Sequence, residues 1–141
     1  MSDGLMSDDF DGQRLMSEDE PQTVLVADDD PDLVALVARR LVRAGYRVIT
    51  ASDGEQALQM VEQFLPELAV LDVMMPKLTG IDVVARLRAH PATRNVRIIL
   101  ISAGFPDNVV SRDPPAGADD YIKKPFGVLD IPDRVHAVLA R

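Results

Sequence analysis

The sequence contains no cysteine, no long apolar run and no basic leader, and each absence excludes a class of protein. Without cysteine there is no disulfide framework, no thiol catalysis and no cysteine-based zinc site. No stretch approaches the ~20 apolar residues of a transmembrane helix. The N-terminus is acidic, whereas a secretory signal peptide begins with basic and then apolar residues. The sequence therefore predicts a cytoplasmic protein without a membrane segment.

A broad basic surface is also missing. Residues 1–20 hold seven acids and one Arg, whereas residues 21–141 hold sixteen acids and fourteen bases. The nearly neutral second part argues against direct binding of nucleic acid. With 141 residues, 47% of them apolar, the chain is long enough to bury one substantial core. We predict one domain over residues 21–141 and an acidic, disordered tail over residues 1–20. The tail is interpreted as a solubilising leader, with a partner-binding arm as the alternative.

Five short apolar runs alternate with helical patterns along this domain. The predicted strands cover residues 23–27, 47–51, 68–72, 96–101 and 118–123. Alternating strands and helices give a parallel sheet with helices on both faces. In the strand order 2-1-3-4-5, the crevice lies between the first and third strands. The fifth strand is more polar than the others, which is typical of a sheet edge.

The starts of the predicted helices carry their own signals. Asp30 suits the cap of a first helix that has Pro31 at its first position. The spacing of Ser52–Glu55 predicts a capping box for the second helix, and Thr79–Asp82 repeats the pattern for the third.

Apolar spacing then predicts which helical side chains are buried. Leu36 and Phe64 fall on the apolar stripes of the first and second helices. The segment 104–116 differs, because its prolines favour a fourth helix that is short or irregular.

Polar side chains stand at the carboxyl ends of four predicted strands. Asp28 and Asp29 follow the first, Asp72 ends the third, Ser102 follows the fourth and Lys124 follows the fifth. Three carboxylates in one crevice cannot all stay ionised without partners, and Mg²⁺ would resolve that conflict. A carboxylate nucleophile beside a hydroxyl, an ammonium and this cation can form an acyl phosphate. Taken singly, each residue also has an ordinary structural explanation, such as helix capping or a solvated surface position.

Four stretches together carry the resemblance to a known family. They are VLVADDDP at 24–31, LDVMMPKLTG at 71–80, ISA at 101–103 and GADDYIKKPF at 117–126. With these motifs at these spacings, residues 21–141 strongly resemble the receiver domain of bacterial two-component response regulators. The resemblance implies an α/β, flavodoxin-like, doubly wound sheet of five parallel strands.

The resemblance also implies roles for the acidic residues. Asp72 corresponds to the phosphoacceptor of the family. The implied ligands of Mg²⁺ are Asp28, Asp29, Asp72 and the backbone carbonyl of Met74.

Further residues correspond to those that bind the phosphoryl group or respond to it in the family. Ser102 resembles the switch hydroxyl, and Ala103 resembles the small residue that leaves room for the phosphate. Tyr121 resembles the aromatic switch residue that turns inward on activation. Lys124 resembles the phosphate-binding lysine, and the Lys124–Pro125 bond is implied to be cis, which is otherwise uncommon.

The implied function is that of a phosphoacceptor and not of a turnover enzyme. The donor would be a sensor histidine kinase or a histidine phosphotransfer protein, and the phosphorylated surface would act on an unknown downstream target. We expect a monomer or a weak dimer. One alternative is a receiver fragment of a larger regulator whose output domain is missing.

Two further alternatives belong to other classes of protein. A small Mg²⁺-dependent phosphatase would need a second carboxylate two residues after its nucleophile, where Met74 stands. An interaction module that had lost phosphorylation would not need the complete acidic set with Lys124.

The lifetime of the phosphate can also be predicted. In the family, side chains two positions past the phosphoacceptor and past the switch hydroxyl influence self-dephosphorylation. Here these residues are Met74 and Gly104, and neither can orient a water by hydrogen bonding. We therefore expect a long-lived phosphate.

Overall fold

The computed structural model describes residues 20–103, 117–124, 127 and 130–141. Three predictions lie outside these residues: the disordered tail, except for Glu20, the irregular helix within 104–116 and the cis bond to Pro125. Within the described parts, no helix is long and apolar enough to cross a membrane.

Five parallel strands form one sheet in the order β2-β1-β3-β4-β5, which confirms the predicted topology. The strands are β1 Thr23–Ala27, β2 Arg47–Ala51, β3 Leu68–Asp72, β4 Arg97–Ser102 and β5 Asp120–Lys123. All five residues of β3 are buried, as expected for a central strand with helices on both faces. The polar strand β5 lies at an edge, as its composition predicts.

Four helices cover the two faces of this sheet. They are α1 Pro31–Arg43, α2 Gly54–Phe64, α3 Gly80–Ala89 and α4 Asp130–Leu139, where α4 denotes the C-terminal helix. Side chains alternate along each strand, so Leu25 belongs to the core under α2 and α3 while Val24 and Val26 belong to the core under α1 and α4. This arrangement confirms the doubly wound α/β fold.

Two of the three predicted helix caps are confirmed. Asp30 Oδ1 accepts the N–H groups of Asp32 at 3.0 Å and Leu33 at 3.3 Å. Thr79 and Asp82 form a complete capping box at the start of α3.

The predicted Ser52–Glu55 box is wrong. Asp53 caps α2 by accepting the N–H of Gln56 at 2.7 Å, and Gln56 Oε1 accepts the N–H of Ser52 at 2.6 Å. Ser52 and Asp53 are both good cap residues, and the helix begins one residue later than the spacing predicts.

The buried apolar stripes of α1 and α2 contain fewer residues than the sequence predicts. Leu36 is 38% exposed and Phe64 is 50% exposed, whereas Val37 and Val61 are buried. Phe64 is the last residue of α2. Leu36 lies on a side of α1 that no described element covers.

Candidate functional site

The site lies at the carboxyl ends of β1, β3, β4 and β5, where the polar residues were predicted to meet. Asp28 follows β1 and is 3% exposed, and Asp72 ends β3 and is 5% exposed. Asp29, beside Asp28, is exposed to solvent. One carboxylate oxygen from each of these three residues lies within 4.8 Å of the others. The sheet order therefore brings Asp72 next to two acids that lie 44 and 43 positions earlier in the sequence.

The residues of the acidic run Asp28–Asp30 have different roles, since one caps a helix and the other two belong to the site. Asp30 caps α1, as described above. Asp28 instead turns toward β3, and its Oδ1 accepts the N–H of Asp30 at 3.0 Å. Helix capping therefore accounts for Asp30 but leaves the buried carboxylate of Asp28 to the site.

Lys124 is the cation of the site. Its Nζ lies 3.3 Å from Asp28 Oδ2 and 3.7 Å from Asp72 Oδ1. Its backbone N–H donates to the carbonyl of Ser102 at 2.8 Å, which fixes the residue against the end of β4. One ammonium thus faces two buried carboxylates, and it offsets only part of their charge.

The electrostatics of Asp72 follow from this arrangement. Burial, and next the Asp28 carboxylate, raise the pKa of Asp72 to about 6, although Lys124 and the Met74 N–H act in the opposite direction. Asp29 adds a smaller repulsion. A group that keeps its proton more readily than an ordinary carboxylic acid indicates a place where additional positive charge would be favourable.

Ser102 and Ala103 continue the site on the neighbouring strand. Ser102 is 1% exposed, and its strand β4 pairs with β3 so that Ile101 lies opposite Asp72. Ala103 follows it and is exposed.

Tyr121 lies farther from the acids, on the edge strand β5. It is half-buried and packs against the core under α2 and α3. Its carbonyl accepts a hydrogen bond from Arg134 Nη2 at 3.0 Å, which joins β5 to α4.

Two glycines and a lysine hold the loop after Asp72, and sequence reasoning missed their roles. A Cβ atom on Gly80 would lie 2.5 Å from the carbonyl oxygen of Asp72, so only glycine permits this approach. The N–H of Gly54 donates to the carbonyl of Pro76 at 3.2 Å, and Leu78 fills the space beside Gly54. The signal in the sequence is a glycine at the first position of both α2 and α3, where it has no capping function.

Lys77 completes this support. Its φ of 72° lies in the left-handed region, which is uncommon for a residue with a side chain. Its Nζ lies 3.7 Å from Asp53 Oδ2 and 3.6 Å from Glu55 Oε1. The loop that carries Met74 is therefore tied to the start of α2.

Comparison with known proteins agrees with this geometry. The family model of the response regulator receiver domain matches residues 24–136. The chain belongs to the response regulator receiver domain family. Receiver domains bind Mg²⁺ at an acidic pocket and work with histidine kinases in two-component systems. In this receiver domain, Asp28, Asp29 and Asp72 form an acidic cluster.

Individual relatives show the same relationship. The receiver domain is 43% identical over 118 residues to the alkaline phosphatase synthesis transcriptional regulatory protein PhoP of Bacillus subtilis, covering 84% of this chain and 48% of PhoP. It resembles the receiver domain of the Francisella response regulator 1452, with a TM-score of 0.75, 31% identity and coverage of 85% and 98% of the two chains. It also resembles the response regulator TrrA of Thermotoga maritima, solved with Mg²⁺ and BeF, with a TM-score of 0.72, 29% identity and coverage of 83% and 98%. The chain spans about half the length of the curated relatives that it matches.

Proposed function

We propose that Asp72 accepts a phosphoryl group from a phosphohistidine of a sensor histidine kinase or a histidine phosphotransfer protein. The observation that carries this proposal is the buried Asp72 carboxylate, which faces both Asp28 and the Nζ of Lys124. In the part of the chain that the structure describes, Asp72 is not needed as a helix cap, because Thr79 caps the following helix α3.

The proposed reaction is a transfer between two side chains. A carboxylate oxygen of Asp72 attacks the phosphorus, the P–N bond to the donor imidazole breaks, and the nitrogen keeps the bonding electron pair. The product on Asp72 is a mixed anhydride. With a pKa of about 6, raised by burial and by Asp28, most of Asp72 is ionised and nucleophilic at neutral pH.

The residues present fit a bound Mg²⁺ ion. Carboxylate oxygens are the ligands that this cation prefers, and three lie within 4.8 Å of one another. Asp28, Asp29, Asp72 and the carbonyl of Met74 would hold it. When bound, the ion neutralises negative charge on the carboxylates and on the phosphoryl oxygens.

Other residues would act on the phosphoryl group itself. The Lys124 ammonium would pair with a phosphoryl oxygen. It would thereby stabilise the negative charge on the phosphoryl oxygens in the transition state. Ser102 would donate its hydroxyl to a second oxygen, and Ala103 would leave room for it. Tyr121 would then shift with Ser102 between two surface states, and the population of these states would carry the signal.

The chain is proposed to be a phosphoacceptor because its product stays bound to its own side chain. A phosphatase with an Asp nucleophile needs an acid or base near the leaving group. At the expected position Met74 presents a thioether that is 65% exposed and cannot transfer protons. A cytoplasmic location, a monomeric or weakly dimeric state and an unknown downstream target are parts of the same proposal, and a receiver fragment of a larger regulator is its alternative.

Mass spectrometry of the intact protein tests this function. The chain is incubated with acetyl phosphate and MgCl₂, and we expect the gain of one phosphoryl group. Asp72→Asn should abolish the gain, because the amide is not a nucleophile of this kind. Glu62→Gln, which removes an exposed acid on α2, is the control and should behave as wild type. Persistent phosphorylation of Asp72→Asn would disprove the assignment.

A further inference from the structure

Two stretches of the domain, residues 33–52 and residues 83–106, are basic and contain no acidic residue. Residues 33–52 contain four arginines and no acidic residue, whereas the rest of 21–141 holds sixteen acids and ten bases. We refer to Arg39, Arg40, Arg43 and Arg47 as the arginine cluster. The nearly neutral net charge of the whole domain therefore conceals these two basic stretches.

The fold keeps the members of this cluster together. Gly45 has a φ of 102° and reverses the chain between α1 and β2. The N–H of Tyr46 donates to the carbonyl of Leu41 at 3.1 Å, which holds the turn against the end of the helix. Arg47 begins β2 directly after this turn. The end of α1 and the start of β2 thus form one basic corner of the domain.

The charges of this corner have no acidic partner in the part of the chain that the structure describes. Lys77, Arg88, Lys124 and Arg134 each face a carboxylate within 4.0 Å. No such ion pair involves the arginine cluster within residues 20–103, 117–124, 127 and 130–141. Three of its members, Arg39, Arg43 and Arg47, are exposed.

Exposed apolar side chains adjoin these arginines. Leu36 is 38% exposed and Val42 is 58% exposed, and both lie on α1. Leu36, Arg39 and Arg43 follow one another at spacings of three and four residues, which places them on one side of the helix. The corner therefore suits a segment that is acidic and also carries apolar side chains.

The N-terminal segment of this chain, residues 1–20, has this composition. Its seven acids and one Arg are interspersed with apolar residues, namely Leu5, Met6, Phe10, Leu15 and Met16. It enters the fold beside the arginine cluster, because the carbonyl of Gln22 accepts the N–H of Arg47 at 2.9 Å. We propose that the N-terminal segment binds the arginine cluster and the adjoining side chains of Leu36 and Val42.

Covalent attachment at this place favours the segment over other occupants. A chain reaches at most ~3.5 Å per residue, so about twenty residues can span far more than the roughly 20 Å length of α1. A short connection of this kind gives an effective concentration on the order of millimolar. Weak exposed ion pairs can therefore keep the attached segment bound in a large fraction of molecules, although they would bind a separate partner only weakly.

Paramagnetic relaxation measured on the full chain tests this proposal. Because the sequence lacks cysteine, Ser7→Cys allows a single nitroxide label. At about 0.01 M salt, where the screening length is ~30 Å, we expect the amide signals of residues 39–47 to lose at least half their intensity. They should recover at about 1 M salt, where the screening length is ~3 Å.

Matched variants assign the effect to the arginines. The pair Arg43→Gln and Arg47→Gln should remove the broadening, whereas Arg86→Gln and Arg94→Gln remove the same charge from exposed positions elsewhere and should leave it unchanged. Replacing Asp8, Asp9 and Asp11 with Asn should also remove it and leaves the described residues untouched. The dispersion of the other amide signals shows that each variant is folded.

Three outcomes would overturn the proposal. The first is broadening that is evenly spread or centred away from residues 39–47. The second is broadening that persists in the Arg43 and Arg47 variants. The third is equal broadening of a ¹⁵N-labelled chain by a separate spin-labelled chain, which would identify a second copy as the occupant.

Discussion

The Nζ of Lys124 lies 3.7 Å from Oδ1 of Asp72, although the two residues are 52 positions apart in sequence. Lys124→Gln removes the ammonium but keeps a similar length. We expect the rate of phosphorylation by acetyl phosphate to fall by about tenfold or more, because a charge that stabilises the transition state is lost. Lys123→Gln is the control, since Lys123 is exposed and faces neither acid. Equal rates for the two variants would refute the role of Lys124.

Repulsion between the buried acids predicts a gain in stability when one charge is removed. In Mg²⁺-free buffer at pH 7.5, Asp72→Asn is expected to raise the free energy of unfolding by about 1–3 kcal/mol. Urea denaturation measures the change, and Glu62→Gln serves as a surface control with an expected effect below about 0.5 kcal/mol. Adding Mg²⁺ should stabilise wild type more than Asp72→Asn. A destabilised Asp72→Asn would contradict the repulsion.

The contact between Gly80 and Asp72 predicts an unusual result for a helical glycine. Replacing a helical Gly with Ala ordinarily stabilises by about 1 kcal/mol. Here the new Cβ would lie 2.5 Å from the Asp72 carbonyl oxygen, so Gly80→Ala should instead destabilise by about 1–3 kcal/mol. Ala85→Ser, at an exposed position of α3, is the control. Stabilisation by Gly80→Ala in urea denaturation would show that the backbone relaxes freely.

The ion pair between Asp120 and Arg134 predicts how stability depends on pH. Two guanidinium nitrogens of Arg134 donate to Asp120, at 2.8 and 2.7 Å. Burial by itself raises the pKa of Asp120, but the hydrogen bonds from Arg134 and from the Tyr121 N–H outweigh it, so the net pKa is lowered. The stabilisation is therefore present above about pH 4 and is lost as the pH falls through the lowered pKa.

Asp120→Asn should accordingly lower the free energy of unfolding by about 1 kcal/mol at pH 7 and by less in more acidic solution. Thermal unfolding of both proteins between pH 7 and pH 3 measures this difference. Asp133→Asn, an exposed neighbour on α4, is the control. A difference that grows on acidification would contradict the predicted sign.

The phosphorylated state is expected to persist far beyond seconds in Mg²⁺. Met74 cannot hydrogen-bond to an attacking water, and its side chain is 65% exposed beside the site. Met74→Asn should shorten the lifetime severalfold by supplying an amide that can orient the water. Intact mass measured over time after removal of acetyl phosphate checks both statements, and loss of phosphate from wild type within seconds would disprove the first.

Apolar patterning gave most element bounds correctly, because strands buried on both faces are nearly continuous aliphatic runs. The strand order came instead from the doubly wound fold that the resemblance implies, and the sheet confirms it. The patterning failed where two polar residues compete for one function. Ser52 and Asp53 both suit a helix cap, and in the folded protein Asp53 accepts the N–H of Gln56 while Gln56 accepts the N–H of Ser52. It also predicted that Phe64 is buried, because helical spacing does not show that the side chain at the end of α2 remains half exposed.

The sequence by itself determined the chemistry that is available. Asp28, Asp29, Asp72, Ser102 and Lys124 each follow or end a strand, and parallel strands bring their carboxyl ends to one edge of the sheet. Only the tertiary structure decided that Asp30 caps α1 while Asp28 is buried beside Asp72, and that Lys124 faces both of these acids. Burial, the distances between charges and the contact of Gly80 with Asp72 depend on how the strands and loops pack, and local sequence does not encode them.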